Sequence, residues 1–198
     1  MTQEQKAERF LVLHQGEPFV IPNPWDTGSA RVLEGLGFEA LATTSSGFAF
    51  TLGRSDGATT LDEVATHVAS LAAAAEAGRR QGFPFTLTAR AENHIRGNPD
   101  LDDTIARLQA YARAGADVLY APGLRNGDEI RTVCEAVSKP VNVLAHPGLS
   151  MREIVEAGGR RVSVGGALTW VAVEAMAQAA RAIRYDGDFS ALDRGSPF

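Results

Sequence analysis

Short apolar runs alternate with amphipathic segments along this chain, and this alternation constrains its fold more than any other feature. Each apolar run is too short for a helix, and each is followed by a segment whose apolar residues recur at helical spacing. Near-continuous apolar runs are typical of strands buried on both faces of a parallel sheet. The sequence therefore predicts an α/β fold built from consecutive strand–helix units.

Six such units follow an N-terminal helix. A capping-box pattern at Thr2 and Gln5 predicts the start of this helix, and Gly16 predicts its end. The strands are predicted at 19–21, 38–43, 83–89, 117–120, 141–145 and 161–164. The helices are predicted at 27–36, from Thr60 onward, from Leu101 onward, and at 127–138, 150–157 and 167–184. The segment after the second strand is predicted to be a loop, and 186–198 an irregular tail.

Two architectures fit these units: an open doubly wound sheet and a closed barrel. A full (βα)8 barrel takes roughly 250 residues, so the 198 residues of this chain leave it about two units short. We therefore expect a TIM (βα)8-barrel type of fold, reduced to about six βα units with an N-terminal helix. No linker or low-complexity stretch divides the chain, which predicts one barrel-like domain over residues 1–198.

The composition excludes several classes of partner. A net charge of −5 and the lack of a Lys/Arg cluster predict that the chain binds neither nucleic acid nor anionic membrane. No apolar run approaches the roughly 20 residues of a transmembrane helix. The single cysteine, Cys134, cannot form an internal disulfide, and the polar first residues do not resemble a signal peptide, so we expect a cytoplasmic protein.

Polar residues and glycines follow the predicted strands at the end where both architectures place a ligand. Loops after strands are polar in many proteins, so this pattern alone does not define a site. The candidates at this edge are Asn23, Trp25 and Asp26; Thr43 to Gly47; Arg90, Glu92, Asn93 and His94; Tyr120, Pro122 and Gly123; His146; and Gly165 with Gly166. We predict that Trp25 and His146 bind substrate, and His146 is also a candidate acid or base.

Arg90 and Glu92 form the sharpest of these clusters. They are alternate residues at a strand end, so both side chains should point the same way. An arginine there can hold a carboxylate or phosphate through two parallel hydrogen bonds, and the glutamate could bind a metal or orient the arginine. The alternative interpretation is a buried structural ion pair.

Two further loops could hold an anion. Ser45, Ser46 and Gly47 offer hydroxyls and a closely approaching backbone, which suit carboxylate oxygens. Gly165 and Gly166 open the last predicted helix, as in the phosphate cradles of many barrels. From the sequence alone, Asp56 is predicted only to form a turn, because it lies between Ser55 and Gly57.

Taken together, many segments of this chain resemble the isocitrate lyase/phosphoenolpyruvate mutase superfamily. The resemblance implies a (βα)8 barrel that binds Mg²⁺ and makes or breaks C–C or C–P bonds next to a carboxylate, through an enolate-like intermediate. It also implies a small-molecule carboxylate as partner, and the chain looks most like the short bacterial members. The matching segments are 19–26, 28–31, 37–47, 52–53 with Asp56, 87–93, 101–103, 110–111, 114–117, 139–142 and 162–168.

The resemblance assigns roles residue by residue. Ser45, Ser46 and Gly47 match the loop that holds the substrate carboxylate, and Arg90 matches the substrate-binding arginine. Glu92 matches the acidic residue beside that arginine, so that Arg90 and Glu92 are the predicted catalytic residues. Asp56 matches the residue that reaches the metal through water, and with Glu92 it forms the predicted metal set.

The chain departs from the family pattern in the middle. Two βα units that carry the direct metal ligands are absent, and the join falls around residues 72–76. The lyase-type cysteine loop is also missing. An incomplete barrel could close more tightly, stay open, or take units from a second chain, and exposed strand edges favour a homo-oligomer.

Three functional interpretations remain open at this point. The first is a Mg²⁺-dependent lyase or mutase acting on a small 2-oxo or 2-hydroxy carboxylate. The second is a catalytically degenerate member or fragment that binds at most a small dicarboxylate. The third is a phosphate-binding barrel enzyme that uses Gly165 and Gly166.

Overall fold

The computed structural model describes residues 2–60, 63 and 86–193. The chain divides into two compact units: the first consists of residues 1–21 and 78–164, and the second of residues 22–77 and 165–198. In chain order the elements are α1 (Gln3–Leu13), β1 (Phe19–Ile21), α2 (Thr27–Gly35), α3 (Ser45–Thr51), β2 (Thr88–Arg90), α4 (Leu101–Arg113), β3 (Val118–Tyr120), α5 (Gly127–Ala136), β4 (Val141–Leu144), α6 (Met151–Glu156), β5 (Arg161–Ser163) and α7 (Ala167–Asp186). Short 3₁₀ turns lie at His94–Arg96, between β2 and α4, and at Ser190–Leu192, after α7.

The first unit is built on a parallel sheet. Its five described strands lie in the order β1–β5–β4–β3–β2, and every neighbouring pair is parallel. One face of the sheet carries Leu119, Val141, Val143 and Val162, all at most 3% exposed. These side chains form one core with residues that lie on α4, α5 and α6, namely Leu108, Ile130, Val133 and Ile154. The parallel α/β class predicted from the sequence is confirmed.

The register of the sheet decides what its opposite face carries. Arg90 pairs with Tyr120, Tyr120 with Asn142, and Asn142 with Arg161. Residues in register on neighbouring strands point to the same face. A row of four polar side chains therefore crosses the sheet from β2 to β5.

The second unit contains α2, α3 and α7. Asp26 caps α2 in a capping box with Ser29, and the chain turns after this helix at Gly37, whose φ of +87° favours glycine. α7 is the longest described helix, with 20 residues, and ends at Gly187 in the left-handed conformation. None of the helices within the described part of the chain is long and apolar enough to cross a membrane.

The strand predicted at 38–43 does not form. Its neighbour in the second unit is the Pro22-Asn23-Pro24 segment, and a proline has no N–H to donate to a ladder. One backbone bond remains, from the N–H of Ala42 to the carbonyl of Pro22 at 3.1 Å. The Asn23 side chain takes over the missing donors and bonds the carbonyls of Ala42 and Thr43 at 3.1 and 3.3 Å.

The predicted Ser/Gly/Phe loop is also wrong, because Ser45–Thr51 is the helix α3. Thr44 caps it, with its hydroxyl accepting the N–H of Gly47 at 3.2 Å. The remaining strand and helix predictions agree within a few residues where the chain is described. The helix predicted from Thr60, the start of the strand at 83–89 and the join at 72–76 lie outside the described residues.

Candidate functional site

Arg90 and Glu92 meet at the carboxyl end of β2. The Nη2 of Arg90 lies 2.7 Å from Oε1 of Glu92, and the two side chains are 47% and 34% exposed. This exposure contradicts the alternative of a buried structural pair. The other carboxylate oxygen of Glu92 accepts from Nη2 and Nε of Arg96 at 3.0 and 3.2 Å. One carboxylate therefore lies between two guanidinium groups, and the cluster keeps a net positive charge.

Tyr120 lies directly beside this cluster. The guanidinium carbon of Arg90 is 5.3 Å from the centre of the Tyr120 ring, within the range of a cation–π contact. Burial raises the pKa of Tyr120, while a hydrogen bond from Ser163 and the positive charge of Arg90 act in the opposite direction. The phenol is therefore neutral at ordinary pH.

Behind Tyr120, buried polar groups continue across the sheet. The Nδ2 of Asn142 donates to Oγ of Ser163 at 2.9 Å, and the Oδ1 of Asn142 accepts from Nε of Arg161 at 2.8 Å. Arg161 is only 7% exposed, and burial lowers its pKa to about 10. Its Nη2 donates to the hydroxyl of Thr88 at 3.0 Å, so this buried cation is held by neutral groups.

His14, at the end of α1, completes this network. Its Nδ1 lies 2.8 Å from the carbonyl of Phe10, and its Nε2 lies 3.2 Å from Nη1 of Arg161. A carbonyl can only accept and a guanidinium can only donate, so the ring is neutral with its proton on Nδ1. Burial, and then the charge of Arg161, lower the pKa of His14.

In the second unit, Ser45, Ser46 and Gly47 form the first turn of α3. A Cβ on Gly47 would lie 2.6 Å from Oγ1 of Thr169 and 2.7 Å from Cβ of Trp25, so close packing requires glycine here. The hydroxyl of Ser46 lies 2.9 Å from the point where a Cβ on Gly166 would stand. The structure thus brings two of the predicted anion-binding segments together.

The backbone N–H of Gly165 already has a hydrogen-bond partner. Its N–H donates to Oδ1 of Asn23 at 2.9 Å, so that group is not free to bind a phosphate. Gly166 begins α7 without a side-chain cap. The phosphate interpretation therefore loses one of its two backbone donors.

Asp56 and His146 differ in how firmly they are held. Asp56 is exposed in a turn flanked by Gly53 and Gly57, both with positive φ. The Nε2 of His146 lies 2.9 Å from the carbonyl of Arg125, and its Nδ1 accepts the N–H of Gly148 at 3.1 Å. Both ring nitrogens of His146 are thus engaged with the backbone, and a proton transfer would have to break one of these bonds.

The described residues do not fit a Mg²⁺ site. No group of three or more His, Cys, Asp or Glu residues that could hold a metal occurs within 2–60, 63 and 86–193. Both carboxylate oxygens of Glu92 are bonded to arginines. Mg²⁺ prefers carboxylate and water oxygens, so we derive no step through a metal from these residues.

Two residues of this network, Arg161 and Ser163, were not predicted from the sequence as functional, and Tyr120 was a candidate only by its place at a strand end, without an assigned role. Tyr120 ends β3 and pairs with Arg90 of β2, so a known sheet register would have placed the two side chains next to each other. Arg161 begins β5, whose three residues are all buried, and a buried charged residue needs hydrogen-bond partners. Cys134 is partly buried, and burial raises the pKa of its thiol to about 11.

Comparison with known proteins matches this architecture to one family. The family profile described as "Phosphoenolpyruvate phosphomutase" matches residues 10–74 and 58–184. Uncharacterized protein Rv1998c of Mycobacterium tuberculosis is 30% identical over 237 residues, which cover 93% of this chain and 91% of that protein. That alignment is longer than the 198 residues of this chain, so the relative holds residues that have no counterpart here.

Similar solved structures support the same family. A Burkholderia cenocepacia protein provisionally assigned as a lyase/mutase is 39% identical, with a TM-score of 0.90, and the match covers 98% of this chain and 94% of that one. A provisionally assigned phosphonomutase of the same organism is 27% identical, with a TM-score of 0.74, and the match covers 90% and 99%. Phosphonopyruvate hydrolase, solved with oxalate and Mg²⁺, shares the fold at 20% identity and a TM-score of 0.77, over 99% and 92% of the two chains.

The fold class is thereby confirmed as a reduced form of the barrel type found in these relatives. The two profile matches overlap at 58–74, beside the join that the sequence predicts. The chain therefore belongs to the phosphoenolpyruvate phosphomutase family, within the phosphoenolpyruvate mutase/isocitrate lyase superfamily.

Proposed function

We propose that this chain is a lyase or mutase that acts on a small 2-oxo or 2-hydroxy carboxylate. Arg90 holds the carboxylate, and the C–C or C–P bond next to it is broken or formed through an enolate. The observation that carries this proposal is the half-exposed guanidinium of Arg90 at the carboxyl end of β2, fixed by Glu92 and Tyr120. Family membership supports the reaction class.

The charge of this cluster supports an anionic ligand. Glu92 neutralises only one of the two guanidinium groups that contact it, so Arg90 and Arg96 keep one positive charge in excess. A guanidinium can take a carboxylate through two parallel hydrogen bonds. The same positive charge would stabilise the negative charge that an enolate develops.

Several predicted site residues remain part of this proposal. Ser45, Ser46, Gly47, Trp25 and His146 are proposed to bind substrate. Asp56 and Glu92 are the proposed metal residues, and Mg²⁺ is the ion that the family implies, as in the phosphonopyruvate hydrolase structure. The arginine contacts of Glu92 speak against this part, so the metal must be tested separately.

A second candidate function is binding of a small dicarboxylate without catalysis. It is favoured by the two arginines on Glu92, which leave that carboxylate without a free oxygen for a metal. In this case Arg90 would still bind a carboxylate, but no product would form.

We also propose that the chain forms a homo-oligomer in the cytoplasm. Along α7, the side chains of Trp170, Val171, Met176 and Tyr185 are between 52% and 71% exposed. Large apolar side chains concentrated on one helix are typical of surfaces that another protein chain covers. Light scattering at micromolar concentration should give a multiple of 21.0 kDa, and a mass of 21.0 kDa would contradict the oligomer.

The experiment combines binding with turnover. Wild type, Arg90→Ala and the matched surface variant Arg113→Ala are melted with oxalate, each in Mg²⁺ and in EDTA. A ligand at about 100 times its Kd adds roughly 2.7 kcal/mol to stability, or several degrees. We expect oxalate to raise the melting temperature of wild type and of Arg113→Ala, and not that of Arg90→Ala.

The same proteins are then incubated with 2-oxo and 2-hydroxy acids, oxaloacetate and phosphonopyruvate among them, and the products are identified by mass spectrometry. Turnover that Arg90→Ala abolishes would support the lyase or mutase. Oxalate binding without any turnover would favour the dicarboxylate binder. If oxalate shifts none of the three proteins, the carboxylate proposal is wrong.

A further inference from the structure

We propose that Tyr120 is a positioning residue for the carboxylate site. Its ring holds Arg90 in the orientation in which the guanidinium receives a ligand. The role of Arg90 as ligand-binding residue rests on the function proposed above, whereas the contact between Arg90 and Tyr120 does not.

The sheet register puts the two residues side by side. Arg90 and Tyr120 are paired on neighbouring parallel strands, each at the last position of its strand. Their side chains therefore leave the same face of the sheet at the same height. The distance of 5.3 Å from the guanidinium carbon to the ring centre follows from this pairing.

Arg90 needs such a support. It is 47% exposed, and its ion-pair partner Glu92 is shared with Arg96. A long, half-exposed side chain loses rotamer entropy when it is fixed, and an exposed ion pair offsets little of that loss. The ring of Tyr120 supplies a second, flat contact that restricts the guanidinium plane.

Tyr120 stands beside a buried polar part of the sheet. It pairs with Asn142 on β4, whose Oδ1 accepts from Nε of Arg161 and whose Nδ2 donates to Oγ of Ser163. Asn142 and Arg161 are 1% and 7% exposed, so these bonds are shielded from water. Bonds that donate in one direction polarise one another, which strengthens the link between β4 and β5 beside Tyr120.

The test separates the ring from the hydroxyl. Tyr120→Phe keeps the ring, Tyr120→Leu removes it, and Tyr111→Leu is the matched control for a partly buried tyrosine of the same unit. Two quantities are measured: the ¹H–¹⁵N resonance of Arg90 Nε, assigned with Arg90→Lys, and the Kd for oxalate.

We expect the Arg90 resonance to move in Tyr120→Leu, because the ring current is lost, and to stay near its wild-type position in Tyr120→Phe. The Kd for oxalate should rise about two- to fivefold in Tyr120→Leu and change less than about twofold in Tyr120→Phe and Tyr111→Leu. Should Tyr120→Leu not fold, Tyr120→Met provides the same test, since it also removes the aromatic ring and keeps a large apolar side chain at this position.

An unchanged Arg90 resonance in Tyr120→Leu would overturn the proposal. An equal loss of affinity in Tyr120→Phe and Tyr120→Leu would also overturn it, because the hydroxyl would then contact the ligand directly. If wild type does not bind oxalate, the function proposed for Arg90 fails, and the Arg90 resonance alone still decides the role of Tyr120.

Discussion

At the scale of single residues, Gly47 shows how packing can explain a glycine that also suits ligand binding. Its backbone lies in the first turn of α3, where the family loop that holds a carboxylate is matched. Yet three side chains, those of Thr169, Thr44 and Trp25, lie within 2.7 Å of the place where a Cβ would stand. The requirement for glycine therefore follows from packing within the second unit, whatever this turn binds.

We expect Gly47→Ala to destabilise the protein by about 1–3 kcal/mol, because the added methyl overlaps three neighbours. Gly35→Ala is the matched control, since a Cβ there meets no atom within 4 Å and Ala is the better helix former. That control should leave stability unchanged or raise it by up to about 1 kcal/mol. Urea denaturation checks both, and equal effects of the two substitutions would contradict the packing argument.

Individual residues also show where sequence reasoning ends. Arg90 and Glu92 were predicted to point the same way because they are two apart in a strand, and they do form a pair. Arg96, which also bonds Glu92, follows it by four residues in a 3₁₀ turn that no periodicity indicated. The contact of Tyr120 with Arg90 joins two neighbouring strands, so only the sheet register could have predicted it.

At the scale of elements, α1 is tied to the start of β5 by the contact between His14 and Arg161. Arg161 can only donate, so His14 must stay neutral for this contact to persist. Burial, followed by the charge of Arg161, lowers the pKa of His14, while the carbonyl of Phe10 and the charge of Asp117 act in the opposite direction. The docking of α1 should therefore depend on pH.

The direction of this pH dependence follows from the difference between the pKa values of His14 in the folded and in the unfolded protein. The pKa of His14 is lower in the folded than in the unfolded protein, where it is near 6.5. Its contribution to stability is fully present above pH 6.5 and is lost as the pH falls from there toward the folded pKa. Urea denaturation at pH 7.5 and 5.5 should show a larger loss for wild type than for His14→Gln. Equal losses in the two proteins would contradict this account.

Two elements differ from their prediction for local reasons. The run at 38–43 is apolar enough for a strand, but Pro22 and Pro24 cannot donate to it, and Asn23 bonds it instead. Thr44 could have been identified as a helix cap, but Ser and Gly beside it are typical of loops as well as first turns. The strands of the sheet were predictable because each carries apolar residues that enter the core, such as Leu119, Val143 and Val162.

At the scale of the whole molecule, the sequence accounts for the family and for the α/β class. The profile matches in two pieces that overlap at 58–74, and a relative 30% identical aligns over 237 residues against 198 here. Both findings agree with a chain that lacks an internal segment of its family. No group of three or more His, Cys, Asp or Glu residues that could hold a metal occurs in the described part of the chain.

The central claim is that Arg90 binds a small carboxylate, and calorimetric titration of oxalate into wild type and Arg90→Ala tests it most directly. A hydrogen bond to a charged group contributes about 1.5–3 kcal/mol, so Arg90→Ala should raise the Kd by more than about tenfold. Arg113→Ala should bind as wild type does. Equal affinities of wild type and Arg90→Ala, or no heat of binding in wild type, would contradict the account.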